Sequence, residues 1–460
     1  MKTLVDPHKA LSQGLADLRT RFKVPASFPP LVLAAAEAAA QRAPSEHVDR
    51  TERPFVTLDP ATSTDLDQAF AIECRGGDLL LHYAIADVAW FVRDGDPVDQ
   101  EAWKRGATLY LPDGKASLYP PALSEGAASL LPSGPRLAVV FTVKVAADGK
   151  VALEGAERAL IQSRAKLAYD QVASADLPDG FEELAERIRA AEERRGAVRV
   201  DPPEQEVAMV EGRLQLRFRP RARSEEQNAA LSLATNLAIA QTLQQHKTGL
   251  FRVMPEPDDW AVKRLRQTAR AFGLSWPQME SLAQFEIGLD PHDPKQAAFM
   301  LAVRRAGAPA AYVPFREGEA PWHAAMAATY AHATAPLRRL ADRYVVETTL
   351  AVANGQPPPA AAVEAFEALP KVMARADSQA GQIDRAVIDL AESVMLQGRE
   401  GETFDAVVTD IDERGARMQL CELPVVARVT AHKVEVGDRL VVRLEMAEPA
   451  QAQVAFERIA

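Results

Sequence analysis

Val56-Thr57-Leu58-Asp59-Pro60-Ala61-Thr62-Ser63-Thr64-Asp65-Leu66-Asp67-Gln68-Ala69-Phe70 places three carboxylates within nine positions, between two apolar runs. Val56 to Leu58 reads as a strand ending at Asp59, Pro60 to Thr64 as a loop, and Ala69 to Ile72 as the next strand. In an extended segment Asp65 and Asp67 point the same way, toward a pocket that Asp59 also reaches. Bare carboxylates about 4 Å apart repel by roughly 4 kcal/mol at an effective dielectric near 20, so the cluster calls for a cation. Hard oxygen ligands suit magnesium, manganese or calcium. Two other readings stand beside this one. Asp and Ser are common turn residues because they bond to nearby backbone, and Asp65-Leu66-Asp67 looks like part of a calcium loop. That loop requires a glycine and a distal glutamate, and neither falls at the required offset.

The surrounding chain sets the frame. At 460 residues it has length for about three folding units at roughly 150 each. Its 47% hydrophobic and 25% charged residues are those of a soluble globular protein. The sequence has no apolar run of about 18 residues, the length a membrane span requires, and no apolar signal core near Met1, so a cytoplasmic protein is expected. Cys74 and Cys421 form no CxxC pair and read as reduced. A net charge of −11 argues against a wholly basic nucleic-acid-binding surface but allows a local basic groove. Arg213, Arg217, Arg219, Arg221 and Arg223 stand mostly two apart, on one face of a strand. They suit either such a groove or a solvated edge strand whose charge blocks aggregation.

Residues 1–50 predict two short helices broken by Pro25 to Pro30, either a cap on a larger domain or a helix-turn-helix-like nucleic-acid contact. Strand and turn signals fill Phe55 to about Arg158. Helices dominate from Glu182, with segments expected at 224–246, 261–272, 295–305, 336–353 and 360–397. Sheet first and helices after reads as α+β. From Gly401 five short strands are expected, at 403–408, 417–421, 425–429, 439–444 and 453–456, which is what an OB barrel requires. Phe404 and Phe456 are its only aromatics, a poor stacking platform for single strands.

Two further stretches complete a pattern. One is Ile85-Ala86-Asp87-Val88 followed by Arg105-Gly106-Ala107-Thr108-Leu109-Tyr110-Leu111-Pro112. The other is Tyr330-Ala331-His332-Ala333-Thr334-Ala335-Pro336-Leu337-Arg338-Arg339-Leu340-Ala341-Asp342. With the carboxylate loop, in this order and spacing, they resemble the catalytic domain of the ribonuclease II family of exoribonucleases, over residues 53–398. Residues 400–460 resemble the S1-type RNA-binding domain of those enzymes.

The resemblance implies that Asp59, Asp65 and Asp67 hold magnesium, with manganese as an alternative, at the scissile phosphate. A fourth aspartate of the family's loop is Gln68 here, which could offer a carbonyl oxygen without charge. It implies that Arg338 works on the phosphate near the cut, where a planar guanidinium can grip two oxygens. Arg339 reads instead as a helix-start partner of Asp342. Tyr110 falls where the family stacks an aromatic on bases near the 3′ end, with Phe251 a candidate for the opposite side, although Tyr in a Leu-Tyr-Leu-Pro run is otherwise usually core. Arg217, Arg219 and Arg221 would guide the RNA backbone. Ala84 and Ala335 depart from the family's histidine and serine at those positions, and its N-terminal cold-shock barrels are not visible. The implied protein is a monomeric, magnesium-dependent 3′→5′ exoribonuclease. It would act on single-stranded RNA without sequence preference and release nucleoside 5′-monophosphates. The alternatives are an RNA-binding protein of the same fold that lost catalysis, with Gln68 as the motive, and an endonuclease using the same cation.

Overall fold

The structure is a computed structural model, describing residues 10–459 apart from 198–203, 211–212, 220–221, 291–292, 308, 413–414, 431–432 and 436. Its centre is a seven-stranded sheet. In spatial order the strands are Val48–Asp49, Val151–Ile161, Arg136–Val145, Asp78–Ala86, Gln68–Arg75, Phe55–Asp59 and Ser163–Ala168. Neighbouring strands are antiparallel except at the two edges, where Val48–Asp49 and Ser163–Ala168 run parallel to their partners. In the middle strand every residue from Leu79 to Ala86 is buried. A strand covered on both faces has no reason to alternate, which explains the unbroken Leu79-Leu80-Leu81 run.

The helix Arg223–Gln245 lies against this sheet and carries Leu231, Ala234, Ala238 and Ile239 into the core. Its Asn228 is spent on the carboxylate strand. Asn228 Nδ2 donates to the Leu58 carbonyl at 3.1 Å and to the Tyr169 hydroxyl at 2.9 Å. Register and position of Asp59 are thereby fixed from behind.

The two N-terminal helices, Ala10–Arg21 and Pro30–Ala40, pack on different parts of the body. Leu11, Leu15 and Leu18 meet Ile383, Val387 and Leu390 of the helix Ala360–Leu396, and Leu109, Leu111 and Ala116 join the same cluster. Val32, Ala36 and Ala39 belong to the main core instead. Arg19 reaches further, with Nε 2.9 Å and Nη2 2.8 Å from the Asp113 carboxylate, and so braces the hairpin formed by Leu109–Leu111 and Gly114–Ala116.

Thr403–Asp412, Gly415–Leu420, Val426–Thr430, Arg439–Glu448 and Gln453–Arg458 close into a barrel, within a few residues of the expected strands. Phe404 and Phe456 are both buried and meet edge to face at 6.1 Å, so they fill the barrel and offer no platform for bases. Among the described residues no helix is long and apolar enough to cross a membrane.

One expected helix starts late. Pro336 suited a first helical position, but the helix runs Leu340–Ala353. The backbone between is drawn into pairing with another loop: Thr108 N–H donates to the Arg338 carbonyl at 3.0 Å and Leu340 N–H to the Gly106 carbonyl at 3.0 Å. A lone turn, closed by the Arg339 N–H on the Ala335 carbonyl at 2.9 Å, is cut off from the helix by that pairing, and it sets the Leu337 N–H and Arg338 against the Asp67 carboxylate.

Candidate active site

The carboxylate loop is pinned through its one apolar member. Leu66 is fully buried; its N–H donates to Ser129 Oγ at 2.9 Å and its carbonyl accepts from Leu130 N–H at 3.0 Å. With Leu66 turned inward, Asp65 and Asp67 take the other side, as the two-residue period requires. Lys166 Nζ, donating to the carbonyls of Ala61 at 2.8 Å and Ser63 at 2.6 Å, ties down the rest of the loop.

Each acid then has a distinct environment. Asp67 is buried; one carboxylate oxygen accepts the Leu337 N–H at 2.7 Å and the other lies 3.2 Å from Arg338 Nε. Asp65 meets Lys115 Nζ at 2.7 Å and the Tyr110 hydroxyl at 3.4 Å. Asp59 has a buried oxygen, Oδ2, with no hydrogen-bond partner. Burial pushes the Asp59 carboxyl up to about 7, reinforced by the negative charges of Asp67 and Asp65 against the pull of Arg338 and Lys166. Burial also lifts Asp67 to about 7, in spite of the Arg338 charge and the Leu337 N–H.

Among the described residues no three of His, Cys, Asp or Glu are arranged to hold a metal. Asp65 is drawn to Lys115 and Asp67 to Arg338, so the three acids do not converge on one point as expected. The residues nevertheless fit a hard cation. An unpartnered buried oxygen on Asp59, near enough to the Asp67 carboxylate to feel its charge, is an acceptor lacking a donor or a cation. Asp59 and Asp67 suit that role, while Asp65 is held by Lys115. Gln68 does not fit. Its Oε1 accepts from the Tyr83 hydroxyl at 2.6 Å and from Ser232 Oγ at 3.2 Å, which uses both lone pairs of an amide oxygen.

Arg338 and Arg339 separate as the sequence suggests. The Arg338 side chain is 45% exposed above the acids. Arg339 forks onto Asp342, with Nη2 2.6 Å from Oδ2 and Nε 3.0 Å from Oδ1. Asp342 also accepts the Ala335 N–H at 2.8 Å, which makes this buried pair the staple of the arginine loop. Burial alone would lower the Arg339 guanidinium pKa, but the Asp342 charge more than reverses it and the net shift is upward.

Tyr110 is 50% exposed between buried Leu109 and Leu111, and stands over the acids instead of in the core. Phe251 is a correction. It has 0% exposure and sits opposite Val313 in the strand pair Leu250–Val253 and Ala311–Pro314. A ring wholly inside the core has no face to offer a base. The backbone of Arg213–Arg219 forms a hairpin with Glu204–Val210, as an arginine-rich edge strand would. The side chains of Arg217 and Arg219, and all of Arg221, lie outside the described residues.

Sequence reasoning missed Lys115, Lys166 and the Leu337 N–H. Lys115 lies 50 positions from its partner Asp65, and Lys166 lies 103 and 105 positions from the carbonyls it bonds, so neither carries a local signal. Leu337 acts through its backbone, which no side-chain pattern reveals.

Comparison with known proteins gives the same picture. An RNB domain model matches residues 47–354, and a model of the RNase II-type exonuclease C-terminal S1 domain matches residues 402–459. Ribonuclease R of Aquifex aeolicus is 27% identical over 95% of this chain and 69% of its own length. The next two curated relatives are covered over 54% and 60% of theirs, so the chain spans little more than half of those proteins. Mycoplasma genitalium RNase R in complex with ribose methylated single-stranded RNA superposes with a TM-score of 0.87 at 20% identity, covering 100% of this chain and 79% of that one. Yeast Ssd1, described as a pseudonuclease, superposes at 0.65 with 17% identity, over 96% of this chain and 59% of that one. At such identities the two superpositions speak for the fold, whereas the RNB match covers well over half of the sequence. The chain belongs to the RNB family of exoribonucleases and carries an RNase II-type S1 domain at residues 402–459.

Proposed function

We propose that this protein hydrolyses single-stranded RNA from the 3′ end in the presence of magnesium, without sequence preference, and releases nucleoside 5′-monophosphates. We further propose that it acts as a monomer in the cytoplasm. One set of contacts carries the reading: the unpartnered Asp59 oxygen feels the charges of Asp67, Asp65 and Arg338, Arg338 is bonded to Asp67, and the hydroxyl of the half-exposed Tyr110 lies 3.4 Å from Asp65.

Tyr110 would stack on a base near the 3′ end, a contact open to every base and worth about 1–3 kcal/mol. The half-exposed Arg338 would take non-bridging phosphate oxygens, while Asp67 and the Leu337 N–H keep its stem in place. Bound to Asp59 and Asp67, magnesium or manganese would supply Lewis-acid charge beside the phosphate. Water adds in line to the terminal phosphodiester, the bond from phosphorus to the 3′ oxygen breaks, that oxygen ends as a hydroxyl carrying one of the water's protons, and the nucleotide leaves with its 5′-phosphate. As negative charge grows on the equatorial oxygens, the Arg338 guanidinium opposes it. The arginines at 217, 219 and 221 and the barrel would guide the remaining backbone, so binding should weaken steeply with salt.

Purified protein incubated with 5′-end-labelled poly(A), with and without chelator, tests the reading. Stepwise shortening that stops with chelator supports it. Intact RNA under both conditions would favour the second reading, an RNA binder without catalysis, which the engaged Gln68 oxygen motivates. A circular RNA substrate that is cut would point to endonuclease action.

A further inference from the structure

Lys115 occupies an unusual position. It lies in the strand Gly114–Ala116 directly opposite Tyr110, and its side chain is about one-fifth exposed. That ammonium bridges two acids, Asp65 at 2.7 Å and Glu125 at 3.0 Å. A desolvated lysine held between two carboxylates is a fixed positive charge.

Around it the other acids divide their counter-charges unequally. Asp67 has Arg338, while Asp59 keeps a bare oxygen. Position 68 adds no charge, and its oxygen is closed off by Tyr83 and Ser232. A centre with two divalent ions would need Asp65 free and another ligand next to it. Here the chain itself fills that side.

We propose that Lys115 takes the charge-balancing place of a second cation, so that this centre holds one divalent ion, on the side of Asp59 and Asp67. The inference rests on the metal-dependent reading above. Lys115 is a positioning residue in this scheme: it orients Asp65 and, through the hairpin, couples it to Tyr110.

Manganese binding to the whole chain, counted by electron paramagnetic resonance of free Mn2+ during titration, tests it without turnover. The wild type should take up one Mn2+ per chain. Lys115→Met frees Asp65 and Glu125 and should admit a second, weaker ion. Lys115→Arg keeps the charge and should stay at one, and Lys115→Met combined with Glu125→Gln should return toward one. Far-ultraviolet circular dichroism checks that each variant is folded. Two ions in the wild type would overturn the inference while leaving the metal-dependent reading intact. So would an unchanged single ion in folded Lys115→Met. No binding to any variant would remove the metal-dependent reading and this inference with it. If Lys115→Met does not fold, the Lys115→Gln variant is read by the same criterion.

Discussion

Arg338 reaches Asp67 with its Nε at 3.2 Å while nearly half of its side chain stays open to solvent. The stem is anchored and the far end of the guanidinium is available. An arginine held this way binds charge that appears during reaction better than charge already present. Arg338→Ala should therefore lower kcat by about 100-fold or more while KM changes only a few-fold. Single-turnover and steady-state rates on a short oligonucleotide measure both. A change confined to KM would make Arg338 a strand contact only.

Asp67→Asn leaves an oxygen for the Leu337 N–H but removes the charge. Turnover should fall below detection while RNA affinity, measured by fluorescence anisotropy, stays within about five-fold of wild type. Equal loss of binding would mean that Asp67 shapes the RNA path more than the chemistry.

Tyr110→Ala removes the exposed ring between two buried leucines and should leave the hairpin folded. The loss of one stacked base, about 1–3 kcal/mol, predicts roughly 5- to 150-fold weaker binding of a short oligonucleotide. The final fragments should also lengthen on a sequencing gel. Arg19→Ala tests the same hairpin from behind by cutting the brace to Asp113. Such a partly exposed ion pair adds at most about 1 kcal/mol to stability, so the melting temperature should hardly move while the fragment lengths broaden.

With Asp59 and Asp67 both pushed up to about 7, chiefly by burial, the folded protein holds protons that the unfolded chain releases near 4. Their protonated forms favour the folded state at low pH, and that contribution is lost as pH rises through about 7. A cation must displace the same protons. Apparent magnesium affinity should hence fall by roughly ten-fold per pH unit below 7 for each proton displaced, and level off above. Thermal shift with magnesium at pH 5.5 and pH 8 reads this directly: a small stabilisation at the lower pH and a larger one at the higher. Equal shifts at both would contradict it.

Asp342 is fully buried and holds both the Arg339 fork and the Ala335 N–H. Asp342→Ala strands a guanidinium that is only about one-fifth exposed and should cost on the order of 3 kcal/mol of stability, visible as a lower urea midpoint.

The barrel and the carboxylate loop were legible because short alternating strands and clustered charge leave local marks. Leu66 between Asp65 and Asp67 is such a mark, since one buried residue sends its neighbours the other way. Phe251 was misread because an aromatic in a four-residue strand looks the same whether it faces a base or a core. The late helix start at Leu340 was hidden for another reason: Pro336 obeys local preference, but backbone pairing with Gly106–Thr108 overrides it. Gln68 showed its missing charge in the sequence and concealed its partners, which come from a neighbouring strand and from a helix more than 160 positions away.

The helix Ala360–Leu396, about 55 Å long at 1.5 Å per residue, ends against the barrel. Leu396 belongs to the barrel core and Val394 to the cluster around the N-terminal helix, while Glu392 accepts from both Gln205 and the Val426 N–H. A rod shared in this way welds the two bodies thermodynamically. Calorimetry should record a single endotherm, and heat that loosens the barrel should disarm the catalytic cleft in the same step.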